Sequence, residues 1–171
     1  MSRCQPKIFS PAQDRRPTLR LAVASAITVL ALLVGPAAAC DTNPLALLDT
    51  ANKWRRASGL GALVPEPRLA LAAGAQARHA AETGTLSHHG RAGHGLGPRI
   101  AETGYPLWNA GEALAAGPDT APDVIALWAE SAPHKAVLAA PEHTEAGAGN
   151  AVGGDGMCYW VLIVAQPRPS H

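Results

Sequence analysis

The chain has 171 residues, 47% of them hydrophobic and 16% charged, with a formal net charge of +1 at neutral pH. That length holds one compact domain, and the composition excludes a disordered, fibrous or multi-span membrane chain. A near-neutral charge and an aromatic content of 4% leave no electrostatic or base-stacking ground for a nucleic-acid partner.

The charge is unevenly placed. Residues 1–39 carry five basic residues against one acidic, whereas the remainder carries nine basic and twelve acidic. The basic stretch runs into the apolar segment Leu21–Val34 and then into Gly35-Pro36-Ala37-Ala38-Ala39. Basic, apolar and small-residue regions in that order read as a secretory signal peptide over residues 1–39. An uncleaved N-terminal anchor is the alternative, although the apolar run falls short of the ~20 residues of a membrane span. The expectation is a secreted or periplasmic protein whose mature chain, residues 40–171, has no transmembrane span.

Cys40 and Cys158 remain once such a signal is removed. In an oxidising compartment two cysteines most simply form one disulfide. A lipid anchor through Cys40 competes with it, because the cysteine directly follows the small-residue segment. Both readings stay open on the sequence.

The elements of the mature chain follow in order. Asn43-Pro44 opens a helix whose apolar positions are Leu47, Leu48, Ala51 and Trp54, and Gly59 stops it. Pro67 opens a second helix with an inner stripe of Leu69, Ala72, Ala73, Gln76, Ala77 and Ala80, closed by Gly84. So many alanines imply close helix approach. A short helix is expected over 97–103 and a strand over 108–116. Thr120 with Asp123 has the form of a capping box, opening a helix with Val124, Ile125, Leu127 and Trp128 inward. Pro133 breaks it or starts another short turn. The run 159–165 reads as a central strand buried on both faces, and 145–152 as its hairpin partner across Gly153–Gly156. These parts pack as an α+β fold with helices on both sides of a small, mostly antiparallel sheet.

Three places combine titratable groups with unusual context: Ser87-His88-His89-Gly90 with His94, Gly111-Glu112, and Ser131-Ala132-Pro133-His134. Glu112 lies in a run of Ala, Leu and Gly, where an unpartnered carboxylate is strongly disfavoured. His88 and His134 are the obvious partners. Two imidazoles and a carboxylate are also a known ligand set for zinc, with a fourth position open. The other reading is an internal hydrogen-bond network. Ser131 near His134 lacks the strained turn and oxyanion loop of a nucleophile. His79, His143 and His171 read as solvated, turn-capping and tail residues, and Trp54, Trp128 and Trp160 as core.

The ordered motifs resemble a family. They are Leu69-Ala-x-Ala-Ala-x-x-Gln76, Leu86-Ser-His88, Arg99-Ile-x-x-x-Gly104-Tyr105, Gly111-Glu112, Trp128-x-x-Ser131-x-x-His134-Lys135, Thr144-Glu145-x-Gly147-x-Gly149 and Tyr159-Trp160. Together they are similar to the CAP superfamily of cysteine-rich secretory, antigen 5 and pathogenesis-related 1 proteins, over about residues 45–165. The resemblance implies an α–β–α sandwich. It also implies a central cleft lined by His88, Glu112 and His134, with Ser131 in place of a second acid and Glu130 one helical step, about 100°, off that position. Bacterial members carry Asp, Asn and Asn where this chain has Ala92, Ala113 and Val137, so the cleft has lost polar neighbours that would orient metal ligands. The functional expectation is therefore a binding module, taking a small apolar ligand, a peptide or a protein partner. The alternative is a zinc-dependent hydrolase acting on peptide or cell-wall material through His88, Glu112 and His134.

Overall fold

Asn43 accepts a hydrogen bond from the Leu45 N–H at 3.1 Å and Pro44 fills the first turn, so helix α1 runs Pro44–Ala57. The computed structural model from which this is read describes residues 40–169. The expected signal segment and His171 lie outside the described residues. Strand β1, Val64–Pro65, is only two residues long, and helix α2, Pro67–Thr83, ends at Gly84 in the left-handed region with φ 64°. Helix α3, Leu96–Ala101, precedes strand β2, Leu107–Ala116. Helices α4, Ala121–Glu130, and α5, Ala132–Ala139, follow, and Pro133, in the first turn of α5, starts the second rather than lying in the first. The capping box forms: Thr120 Oγ1 bonds the Asp123 carboxylate and accepts from the Asp123 N–H. Strands β3, Glu145–Val152, and β4, Cys158–Pro167, complete the fold.

The sheet order is β1-β3-β4-β2. β4 is antiparallel to both β3 and β2, and β1 pairs parallel with the start of β3. β1 is absent from the sequence reading, because Val64-Pro65 carries no periodicity and Pro is a poor strand residue. The hairpin turn between β3 and β4 falls on Gly153–Gly156 as expected.

β4 is buried from Cys158 to Ala165, and its alternation feeds two cores. Trp160, Leu162 and Val164 meet Leu47, Trp128 and Leu138 of α1, α4 and α5. Val161, Ile163 and Ala165 meet Leu69, Ala73 and Ile100 of α2 and α3. The result is an α–β–α sandwich. Burying apolar side chains the size of Val, Leu or Ile contributes about 1.5–3 kcal/mol each, so β4 supplies a large share of core stability.

α2 lies so close to β3 that a Cβ on Gly147 or Gly149 would overlap the α2 backbone at Ala70 or Gly74. On the other layer, buried Arg55 donates to the carbonyls of Gly61, Leu138, Ala140 and His143, tying α1 to the turn after α5. Cys40 and Cys158 are disulfide-bonded with Cα atoms 5.7 Å apart, stapling the start of the domain to the central strand. Among the described residues no helix is long and apolar enough to cross a membrane.

Candidate functional site

Strand β2 is an edge of the sheet, and its alternation turns Glu112 and Leu114 toward α2 and α3 while Ala113 and Ala115 face α1 and α4. Glu112 is thus delivered into a protein layer, not into solvent. Its side chain is 1% exposed. Such a carboxylate needs hydrogen-bond partners, and each oxygen has one. Arg99 Nη2 of α3 donates to Oε1 at 2.7 Å, and His88 Nδ1 sits 2.9 Å from Oε2. The same Arg99 Nη2 reaches the His88 carbonyl at 3.3 Å, so one guanidinium positions both partners.

The loop that carries His88 is held from below. Gln76 of α2 donates to the Ser87 carbonyl. Gly90 closes a turn with its N–H on the His94 carbonyl at 2.8 Å. A Cβ on Gly90 would lie 2.6 Å from both Arg99 Cδ and Gln76 Oε1, so only glycine lets the loop press onto this pair. His88 itself is 62% exposed at the side chain. With Nδ1 turned to Glu112, its Nε2 edge faces outward.

His134 belongs to α5, in the opposite layer, and does not bond Glu112. Its Nδ1 pairs with Ser131 Oγ at 2.8 Å, and its ring stacks on Trp128 with centroids 6.2 Å apart. Burial, and secondarily the charge on nearby His88, push its pKa below the usual imidazole value. His134 is therefore predominantly neutral at neutral pH. The expected Glu112–His134 contact is replaced by Glu112–Arg99, because alternation along β2 sends Glu112 to the face away from α5.

The remaining sequence candidates separate from this cluster. His94 pairs with Glu102 at 2.7 Å on the exposed side of α3, and His89 is exposed. Glu130 is exposed, as its helical phase implied. His143 is not a turn cap: it is buried, both ring nitrogens lack a hydrogen-bond partner among the described residues, and burial pushes its pKa down. Arg99 and Gln76 are the site residues that sequence reasoning missed. Arg99 lies next to Ile100 in a six-residue helix, too short for periodicity to show which side faces inward.

A zinc site using all three side chains does not fit this arrangement. Among the described residues no three His, Cys, Asp or Glu side chains are placed to hold a metal ion, and both Glu112 oxygens are already engaged. What the site offers is a pair of imidazoles, each tethered through Nδ1, His88 by a carboxylate and His134 by a hydroxyl.

Residues 48–164, more than half of the chain, match the family model of the cysteine-rich secretory protein (CAP) family. The chain belongs to that family. Its fold is similar to an outer surface protein from Borrelia burgdorferi, with a TM-score of 0.65 at 21% identity over 71% of this chain and 90% of that one. An extracellular SCP-domain protein from Bacillus anthracis aligns with a TM-score of 0.63 at 21% identity, over 70% of this chain and 39% of that one. A cysteine-rich secretory protein from Staphylococcus aureus gives 0.59 at 20% identity, over 71% and 38%. The chain thus spans well under half of those two longer proteins. Comparison with curated protein sequences gave no match.

Proposed function

We propose that this chain is a secreted or periplasmic CAP module that binds a peptide or protein partner at the His88–His134 face and does not turn it over. The observation that carries this reading is the state of Glu112: buried, with one oxygen on Arg99 and the other on His88. A general base or a metal-ligating carboxylate needs a free lone pair aimed at the reactant. Glu112 is 1% exposed and is held through both oxygens inside the protein layer, so it aims no lone pair at a reactant outside, and it acts as an orienting anchor that presents His88 outward. The exposure of His88 favours a partner laid across the surface over a small apolar ligand, which needs enclosure.

Export is supported by the signal-like order of residues 1–39, by the disulfide, and by the extracellular proteins that share the fold. The Cys40 sulfur engaged in the bridge is not free to carry a thioether-linked lipid, which favours a released form over a lipid-anchored one.

The test is metal content and turnover of the purified exported protein, with and without His88→Ala. The expected result is no stoichiometric zinc after dialysis and no hydrolysis of denatured protein or peptidoglycan fragments. Native-host material should co-purify with the wild type and be lost from a His88→Ala, His134→Ala variant. Stoichiometric zinc that disappears with His88→Ala, accompanied by hydrolysis, would replace this reading with the zinc-dependent hydrolase.

A further inference from the structure

The opposite edge of the sheet carries a second site, independent of the His88–His134 reading. β1 pairs with β3 only at Glu145 and Ala146, and among the described residues no strand pairs with β3 on that side beyond Ala146. The Val64 and Glu66 N–H groups donate across this edge to the carbonyls of Thr144 and Ala146, at 2.8 Å each. Backbone groups of alternate residues point the same way along a strand, so those of Ala148 and Asn150 also point outward. Neither residue's backbone groups have a protein partner on that side among the described residues. Ala148 is buried all the same, at 6% exposure. Backbone donors and acceptors at the foot of a trough require partners.

The trough holds about 570 Å³, with Ala148–Asn150 as its floor, Pro44 on one wall and Ala70 and Leu71 of α2 on the other. Leu71 stands 65% exposed at the rim. The lining is mainly apolar, and its one charged residue is Arg78. A Cβ on Gly74 would lie 3.3 Å from Arg78 Nη1, so the guanidinium lies over Gly74, at the far end of the trough from β1. Among the described residues no carboxylate is in ion-pair reach of it.

The geometry points to a docking site for the carboxyl terminus of an extended peptide, added as a strand to the free edge of β3. The main chain of the peptide bonds the outward groups of Ala148 and Asn150. Small apolar side chains fill the trough, and the terminal carboxylate pairs with Arg78. The strand β3 runs from β1 toward Arg78, so the peptide lies parallel to β3 and takes up where β1 stops. The strand floor of the trough is three residues long, Ala148–Asn150, at ~3.3 Å each. Strand addition explains why the edge is walled by α2 yet left unpaired, where an unused edge would be covered or charged.

The probe is N-acetyl-Ala-Val-Thr-Val-Ala as the free acid, titrated by calorimetry against the exported protein, with its carboxamide as comparison. The acid should bind about tenfold or more tightly than the amide, and Arg78→Gln should erase that preference. Two peptides N-methylated at alternate amides should differ, only one losing affinity. Amide exchange at Ala148 and Asn150 should slow on binding. Leu71→Asp, at an exposed position, should weaken the acid and the amide alike with the melting temperature unchanged, whereas His88→Ala should have no effect on either. Equal binding of acid and amide, or unchanged exchange at Ala148 and Asn150, overturns the proposal. So does loss of peptide binding in His88→Ala, a concentration-dependent dimer protecting the same amides, or a fatty acid displacing the peptide.

Discussion

Arg99 spreads one nitrogen between a carboxylate and a carbonyl, and removing it leaves Glu112 buried beside a single imidazole. Breaking one side of a buried ion pair costs about 3–5 kcal/mol. Arg99→Met should lower stability in urea by that order. Arg99→Met combined with Glu112→Gln should lower it by less than the sum of the two single changes, since the stranded charge is gone. Gly90→Ala pushes a methyl group against the same guanidinium and Gln76, and should destabilise by about 1–3 kcal/mol through overpacking. At His143 the effect is one of pH. Burial lowers its folded pKa most, Glu142 opposes the shift and Arg55 adds to it. The unfolded chain therefore takes up the proton first as pH falls. Stability should be fully present above about pH 6.5 and decline toward the lower folded pKa, at up to ~1.4 kcal/mol per pH unit, then level off. Chemical denaturation from pH 7.5 to 4.5 measures it. His143→Leu should flatten the slope, leaving the part that belongs to His134, whose pKa is also depressed.

At the scale of elements, the contact between α2 and β3 is the least forgiving. Gly147→Ala and Gly149→Ala would each drive a methyl group into helix backbone, with no side chain to move aside, and each should cost more than about 4 kcal/mol or abolish folding. Gly154→Ala, in the open hairpin turn, meets nothing within 4 Å and should leave the melting temperature nearly unchanged. Half of this contact was legible in advance: the alanine stripe of α2 implied close approach, whereas the Gly-x-Gly of β3 stood in the sequence only as part of the family resemblance. The long helices, the capping box and the central strand were legible for the same reason, since periodicity and end signals act locally. β1 was not, because two residues exist as a strand only through their neighbour. The site was half legible. The need of Glu112 for partners follows from its apolar surroundings, and His88 was correctly expected near it. The second partner could not be read, because it depends on which face of β2 turns toward which layer, and no local pattern around Arg99 encodes that.

Over the whole molecule, the disulfide joins positions 118 residues apart. In the chain-entropy picture closure of so long a loop contributes about 4–5 kcal/mol. Thermal unfolding with and without reductant should show that loss, and Cys158→Ala should reproduce it and respond no further to reductant. The order of the strands in space has a different consequence, for when this protein becomes a protein. β2 and β3 touch only through β4, and β4 follows the other described elements. A ribosome that has released everything up to Gly156 has released the five described helices and, of the sheet, only the two-residue β1–β3 ladder. A chain ending there should show helical circular dichroism without cooperative melting. The nascent domain stays loose until β4 emerges.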